Sequence, residues 1–295
     1  MEDVLVESGK SYLLLNPLDY DEITQFELSS DCNGIHLRYN GLELKPSTIF
    51  LSRLWRTDCL VKLPKGCQYP GLLRQKIEVF LRDIIFCFRQ VKCFPGTYEN
   101  ILLGETKPII YQLASSCGLQ IPSKTVNSFR DRAKSDTPYR KVLGHPFSVS
   151  LNVDAGQETA LTLLTGKSLD DIDLMSLPWQ WQSEIESIKQ FRVILVDNRE
   201  WVYSIETEEL GGKGLREVQM STSELNWQRD TLPQKVVKGL KTLLIKTGLS
   251  YCSADFLLDQ NSKFTLVDLN PCGDWFGFGD KKDSKEMAQI IVSKL

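Results

Sequence analysis

The chain has 295 residues, 42% of them hydrophobic and 25% charged, with a formal net charge of −3. That is ordinary soluble composition, enough for one complex domain or two to three smaller ones. The slight acidity argues against a sequence-independent nucleic-acid binder, and no apolar run is long enough to span a bilayer.

From the start, "MEDVLVESGK" carries no charged-then-apolar targeting pattern, which predicts a cytoplasmic protein. "SYLLLN" and "GIHLRYNGLEL" alternate as strands do, the second around Asn40-Gly41, a hairpin turn pair. "STIFLSRLW" is a further strand, with Arg53, Trp55 and Arg56 toward its end. No opening βαβ unit is evident in this region. From Leu72 to Val91, Leu73, Ile77, Phe80, Ile84, Phe88 and Val91 recur at helical spacing. Pro95 and Gly96 then break the chain. A second helix follows over "KPIIYQLASSCG", with Pro108 in its first turn and Gly118 as its stop.

"TVNSF" to "TLLTGKS" reads as short strands and loops, and "EELGGKGLREVQ" as a glycine-rich, mobile loop. Between them, "FRVILVDNREWVYSIE" is a hairpin turning at Asp197-Asn198. Val236, Val237, Leu240, Leu243 and Leu244 form one face of a helix that Gly248 ends. "YCSADFLLD" and "KFTLVDLN" are two strands joined through Gln260-Asn261-Ser262. Eight cysteines without CxxC spacing and only two histidines argue against zinc, and the cysteines read as reduced and mostly packed.

The chemistry concentrates in "FTLVDLNPCGDWFGFGD", Phe264 to Asp280. Asp268 and Asn270 are two apart in a strand and share a face. If the strand bearing Asp255 is an antiparallel neighbour, all three side chains converge. Three oxygen donors suit a hard cation such as Mg²⁺, which works with nucleotide phosphates. A structural hydrogen bond that satisfies the buried polar groups is the other reading.

"ADFLL…LVDLNP" after an amphipathic helix resembles the closing motif of the ATP-grasp ligases. "NPCGDW" is similar to the Asn-Pro-x-Gly-x-Trp ending of the microviridin-type, or graspetide, peptide ligases. "ETKPIIYQLASSCGLQIPSKTV", "PWQWQSEIESIKQFRVILVD" and "STIFLSRLWRTD" resemble further family segments in the expected order. The resemblance implies an α/β (α+β) ATP-grasp fold in three parts. These are a shortened pre-ATP-grasp domain over residues 1–100, a central lid subdomain over 101–183, and a C-terminal antiparallel-sheet subdomain with the metal site over 184–295.

The same resemblance implies roles for particular residues. Lys107 and the lid lysine Lys141 would bind the nucleotide, Arg140 being a neighbouring candidate for the lid role. Gln182, Ser183, Glu184 and Ile185 would line the adenine hinge. Arg192 would face the γ-phosphate and the developing acyl phosphate, with Lys141 as a second catalytic cation. Asp255, Asp268 and Asn270 would hold Mg²⁺. Departures from the family pattern are Ser183 for a hinge glutamate, Gln190 for an acidic residue, and "NWQRD" with Arg229 displaced by one.

The implied activity is ATP-dependent ligation through an acyl phosphate. It would form ester or amide macrocycles in a precursor peptide that carries a leader region, with a homodimer as the assembly. Alternatives are a ligase adding an amino acid to a protein or small molecule, and a degenerate ATP-grasp protein that binds nucleotide or peptide without ligating.

Overall fold

The computed structural model describes residues 2–13, 20–51, 63–64, 66–123, 125–128, 139–141, 179–183, 185–210 and 225–295. Helices α1 (Glu2–Glu7) and α2 (Tyr20–Ile23) precede three short antiparallel strands, β1 (Phe26–Asp31), β2 (Gly34–Tyr39) and β3 (Leu42–Leu44). Asn40, at a positive φ of 50°, and Gly41, at 77°, make the turn between β2 and β3 as the sequence predicts. In "SYLLLN", residues 11–13 are not strand, and the rest lies outside the described residues. Of "STIFLSRLW", only β4 (Thr48–Phe50) is described; Arg53, Trp55 and Arg56 lie outside.

Helix α3 (Pro70–Cys87) follows, and β5 (Lys92–Phe94) pairs in parallel with β4. A βαβ unit is therefore present, contrary to the sequence expectation. The strands are three residues each, too short for an alternating pattern to register. Helix α3 also stops earlier than predicted. Phe88 and Val91 lie beyond it, because the chain must turn at 88–90 to enter β5. Its buried residues are Ile77, Leu81, Ile84 and Ile85, a stripe rotated slightly from the one expected, with Leu73 and Phe80 only partly buried.

Helix α4 (Tyr98–Glu105) was not anticipated. The sequence reads a break at Pro95-Gly96 and nothing more, but Thr97 and Asn100 form a reciprocal capping box that starts a helix immediately. Helix α5 (Lys107–Ser116) is the predicted second helix, with Pro108 in its first turn. Strands β6 (Thr125–Ser128), β7 (Tyr139–Lys141) and β8 (Trp179–Ser183) form a separate antiparallel sheet with β8 in the middle. Most of the predicted short strands between "TVNSF" and "TLLTGKS", and most of the "EELGGKGLREVQ" loop, lie outside the described residues.

The remaining strands are β9 (Lys189–Val196), β10 (Arg199–Glu206), β11 (Gln228–Arg229), β12 (Tyr251–Leu258) and β13 (Phe264–Asn270). They form one antiparallel sheet ordered β11-β10-β9-β12-β13. Helix α6 (Gln234–Thr247) buries Val237, Leu240, Leu243 and Leu244 on one face of this sheet, and Gly248 ends the helix at a φ of 69°. Ile101 of α4 and Ile110 and Ala114 of α5 share that core with Val193, Leu195, Ala254, Phe256, Leu266 and Leu269. Helix α7 (Lys281–Lys294) covers the opposite face, where Met287 and Ile291 pack with Ile194, Val196, Trp201, Tyr203 and Phe278. No helix among the described residues is long and apolar enough to cross a membrane.

One irregularity sets the site. Strands β12 and β13 pair Phe256 with Leu266 but Asp255 with Asp268, so Val267 is an extra residue in a bulge. Strand residues three apart ordinarily face opposite sides. The bulge lets both Leu266 and Leu269 enter the same core and turns Asp268 and Asn270 to the face that carries Asp255. The bulged carbonyl of Val267 accepts the Tyr111 hydroxyl of α5 at 2.7 Å, and that hydroxyl is held well above the ordinary phenol pKa by burial and by the charge of Asp268. Tyr111→Phe removes a hydrogen bond worth about 1 kcal/mol. The expected result is a lower urea midpoint with an unchanged slope, and an unchanged midpoint would mean the bulge does not need this bond.

Candidate functional site

In the register of the five-stranded sheet, Arg229 lies opposite Tyr203, Tyr203 opposite Arg192, Arg192 opposite Asp255, and Asp255 opposite Asp268. One row of polar side chains thus crosses the whole sheet, on the face that α7 partly covers. The apolar residues Ile194 and Trp201 are the next residues of that face along β9 and β10. Both are almost fully buried, so the row is flanked by dry, apolar sheet.

The charges in the row are paired. Arg192 makes a bidentate contact with Asp255, through Nε to Oδ1 and through Nη2 to Oδ2 at 2.9 Å. Burial alone lowers the guanidinium's pKa, and the charge of Asp255, with a lesser contribution from Asp268, more than reverses this. Arg192 therefore remains a fixed cation at any working pH. Lys107, at the start of α5, is almost buried and places its Nζ 3.1 Å from Asp268 Oδ1. Strand β13 is at the sheet edge, so a side chain from α5 reaches over that edge to the row. Asn270 lies opposite Ser253, two pairs further along, and its Oδ1 accepts the Cys272 backbone N–H at 3.0 Å.

Two antiparallel strands bring Asp255, Asp268 and Asn270 to one face. The alternative of a structural hydrogen bond also holds for Asn270, whose amide oxygen keeps a second lone pair. Among the described residues, no three His, Cys, Asp or Glu side chains form a metal site by themselves. A cation placed here would find two carboxylates and one amide oxygen, and would complete its shell with water and phosphate oxygens. That is the habit of Mg²⁺ with nucleotides, and this donor set fits it. Lys107 stands beside Asp268, and Arg192 beside Asp255.

The other expected nucleotide contacts are placed less completely. Backbone pairing sets Lys141 opposite Trp181 and Gln182 opposite both Thr125 and Arg140, so the strand carrying Lys141 runs beside the one carrying Gln182. The side chains of Lys141 and Gln182, and the whole of Glu184, lie outside the described residues. Ser183 is buried, and its hydroxyl accepts that of Ser123 at 3.0 Å. Ile185 is partly buried just past the end of β8.

Sequence reasoning missed Tyr203, Asp283 and Phe278. The Tyr203 hydroxyl donates to Asp283 Oδ2 at 2.7 Å, and Arg229 Nη1 donates to the same carboxylate at 3.0 Å. Burial and the Asp283 hydrogen bond push the tyrosine's pKa up. A signal for Tyr203 existed: a two-residue turn at Asp197-Asn198 fixes every pair in the hairpin, Arg192 with Tyr203 included. The displacement of Arg229 in "NWQRD" also resolves, because β11 places it on the row.

The sequence matches no family model and no curated protein. Solved structures do match. The macrocyclase MdnC of Microcystis aeruginosa, bound with precursor peptide MdnA, superposes with a TM-score of 0.71 at 18% identity, over 99% of this chain and 92% of that one. A Chryseobacterium gregarium RiPP-associated ATP-grasp ligase, in complex with ADP and with a leader and core peptide, gives 0.69 at 16% identity, again over 99% and 92%. The chain has the ATP-grasp fold. The ATP-grasp ligase PsnB, complexed with a minimal precursor, Mg and ADP, gives 0.63 at 16% identity over the same shares. The fold is thus the α/β architecture that the closing motif implies, and the cross-strand row lies within its antiparallel sheet.

Proposed function

We propose that this ATP-grasp protein is an ATP-dependent ligase that closes ester or amide macrocycles in a ribosomal precursor peptide. The observation that carries the reading is the row Arg192–Asp255–Asp268 with Lys107 beside it, in a fold shared with peptide ligases. A carboxylate oxygen of a peptide Asp or Glu attacks the γ-phosphorus of ATP, and ADP leaves. A Ser or Thr hydroxyl, or a Lys amine, of the same peptide then attacks the acyl carbon. Phosphate departs, and the nucleophile gives up its proton.

Nothing in this scheme needs a covalent link to the protein, so its work is positioning and charge stabilisation. Lys107 and Lys141 hold phosphate oxygens, Gln182 to Ile185 line the adenine slot, and Arg192 meets the charge that develops on the transferring phosphoryl. Asp255, Asp268 and Asn270 hold Mg²⁺, which when bound neutralises phosphate charge. The peptide's leader region binds at a separate groove. A cytoplasmic homodimer completes the proposal.

The test is ATP consumption with Mg²⁺, with and without the short peptide encoded beside this gene, followed by the mass of that peptide. ADP release with loss of one water per bond is the expected result. ADP release with a mass gain would replace the reading with the amino-acid-adding ligase. Nucleotide binding without ADP or mass change would replace it with the binding-only protein.

A further inference from the structure

The closing motif continues past Asn270 into the turn Gly277-Phe278-Gly279, to which the proposed chemistry assigns nothing. Phe278 is buried, and its ring lies under the guanidinium of Arg192, 5.1 Å from Cζ to the ring centroid. The ring is itself held in place. It packs edge-on against Trp227 at 5.6 Å, and at a 31° tilt against Tyr203 at 6.0 Å. Both flanking glycines have a positive φ, 84° at Gly277 and 68° at Gly279, a conformation that L side chains rarely adopt. A β-carbon on Gly279 would stand 2.5 Å from Tyr203 Cε1 and 2.9 Å from Asp283 Oδ2. The turn is thus pressed onto the Tyr203–Asp283 pair, at the first turn of α7.

Arg192 has two restraints. Asp255 grips the guanidinium's edge through two donors, and the Phe278 ring lies against it. Asp255 is also one of the three residues placed at the cation, so its hold on Arg192 weakens when a cation competes for the same carboxylate. The aromatic face does not compete. A buried ring beneath a guanidinium keeps it in place through its quadrupole, and this attraction strengthens where water is excluded.

We infer that Phe278 is a positioning residue. The Gly-Phe-Gly turn clamps Arg192 at the transferring phosphoryl group while Asp255 serves the metal. The inference rests on the proposed nucleotide chemistry, and its test separates the two. Binding of ADP with Mg²⁺, and of ADP with Mg²⁺ and aluminium fluoride, which mimics the phosphoryl in flight, is titrated into wild type, Phe278→Leu and Phe278→Tyr.

Phe278→Leu is expected to weaken the aluminium fluoride complex about 10-fold, while ADP with Mg²⁺ stays within about twofold. Phe278→Tyr, which keeps the ring, is expected to restore the wild-type ratio. An equal loss of both complexes, or no loss in either, would overturn the clamp and leave the nucleotide site standing. Wild type that binds neither would overturn the nucleotide reading, and the clamp with it. If Phe278→Leu does not fold, the wild-type Arg192 Nε–H resonance gives the same answer. The ring current of Phe278 must shift it, and an unshifted resonance would overturn the stacking.

Discussion

Asp268→Ala is expected to abolish ATP turnover, lowering it by about 10³-fold or more, on the scale of losing a preorganised charge-stabilising group. Peptide binding is expected to stay near its wild-type value. Two effects combine at this position. The cation loses one of its two carboxylates, and Lys107, almost buried, loses the anion 3.1 Å from its Nζ. The second effect acts on folding as well as function, so thermal melting is measured alongside. Asp268→Asn separates them further, since it keeps the shape and one oxygen donor and removes only the charge. A stable Asp268→Asn protein with turnover lost would assign the effect to the cation and its phosphates. Unchanged turnover in both variants would remove Asp268 from the metal site.

Arg192→Ala is the second large effect. It is expected to lower kcat about 10²- to 10³-fold and to leave the KM for ATP within a few-fold. The asymmetry is the signature of a group whose best partner exists only in the transition state. The ground-state partner of Arg192 is already present, in the bidentate contact with Asp255, so a γ-phosphate at rest offers the guanidinium little that it lacks. Charge spreading over the transferring oxygens is what tips it away. Arg192→Lys keeps a cation but loses the planar fork that grips Asp255 and lies on Phe278. Turnover between wild type and Arg192→Ala is the expected outcome. A rise in KM alone, with kcat unchanged, would reassign Arg192 to ground-state nucleotide binding.

These variants also show why the site was only half legible beforehand. The identities of Arg192, Asp255, Asp268 and Asn270 came from strand patterns and a closing motif, both properties of short stretches. Their partnerships did not. Asp255 reads in the sequence as a cation ligand only, but the sheet order places it between Arg192, with which it pairs, and Asp268. Lys107 reads, through the resemblance, as a nucleotide contact, and only the packing of α5 beside the edge strand brings it to Asp268.

What the sequence by itself determined was local. Alternation marked the strands of the two hairpins, and the turn at Asp197-Asn198 set the register of the first, down to Arg192 facing Tyr203. The apolar stripe and Gly248 marked α6 and its end. Each of these depends on neighbours within a few residues, so each was available without a fold. The tertiary structure decided what depends on distant partners. It paired β4 with β5 across the intervening helix, and tied the first turn of α4 to the end of α6 through Asn100 Nδ2, which donates to the Thr247 carbonyl at 2.9 Å. It also inserted the bulge at Val267, because Leu266 and Leu269 must both enter one core. That bulge turns Asp268 and Asn270 toward Asp255. The local alternation of β13 does not predict it, since the demand for it comes from the hydrophobic face on the other side of the sheet.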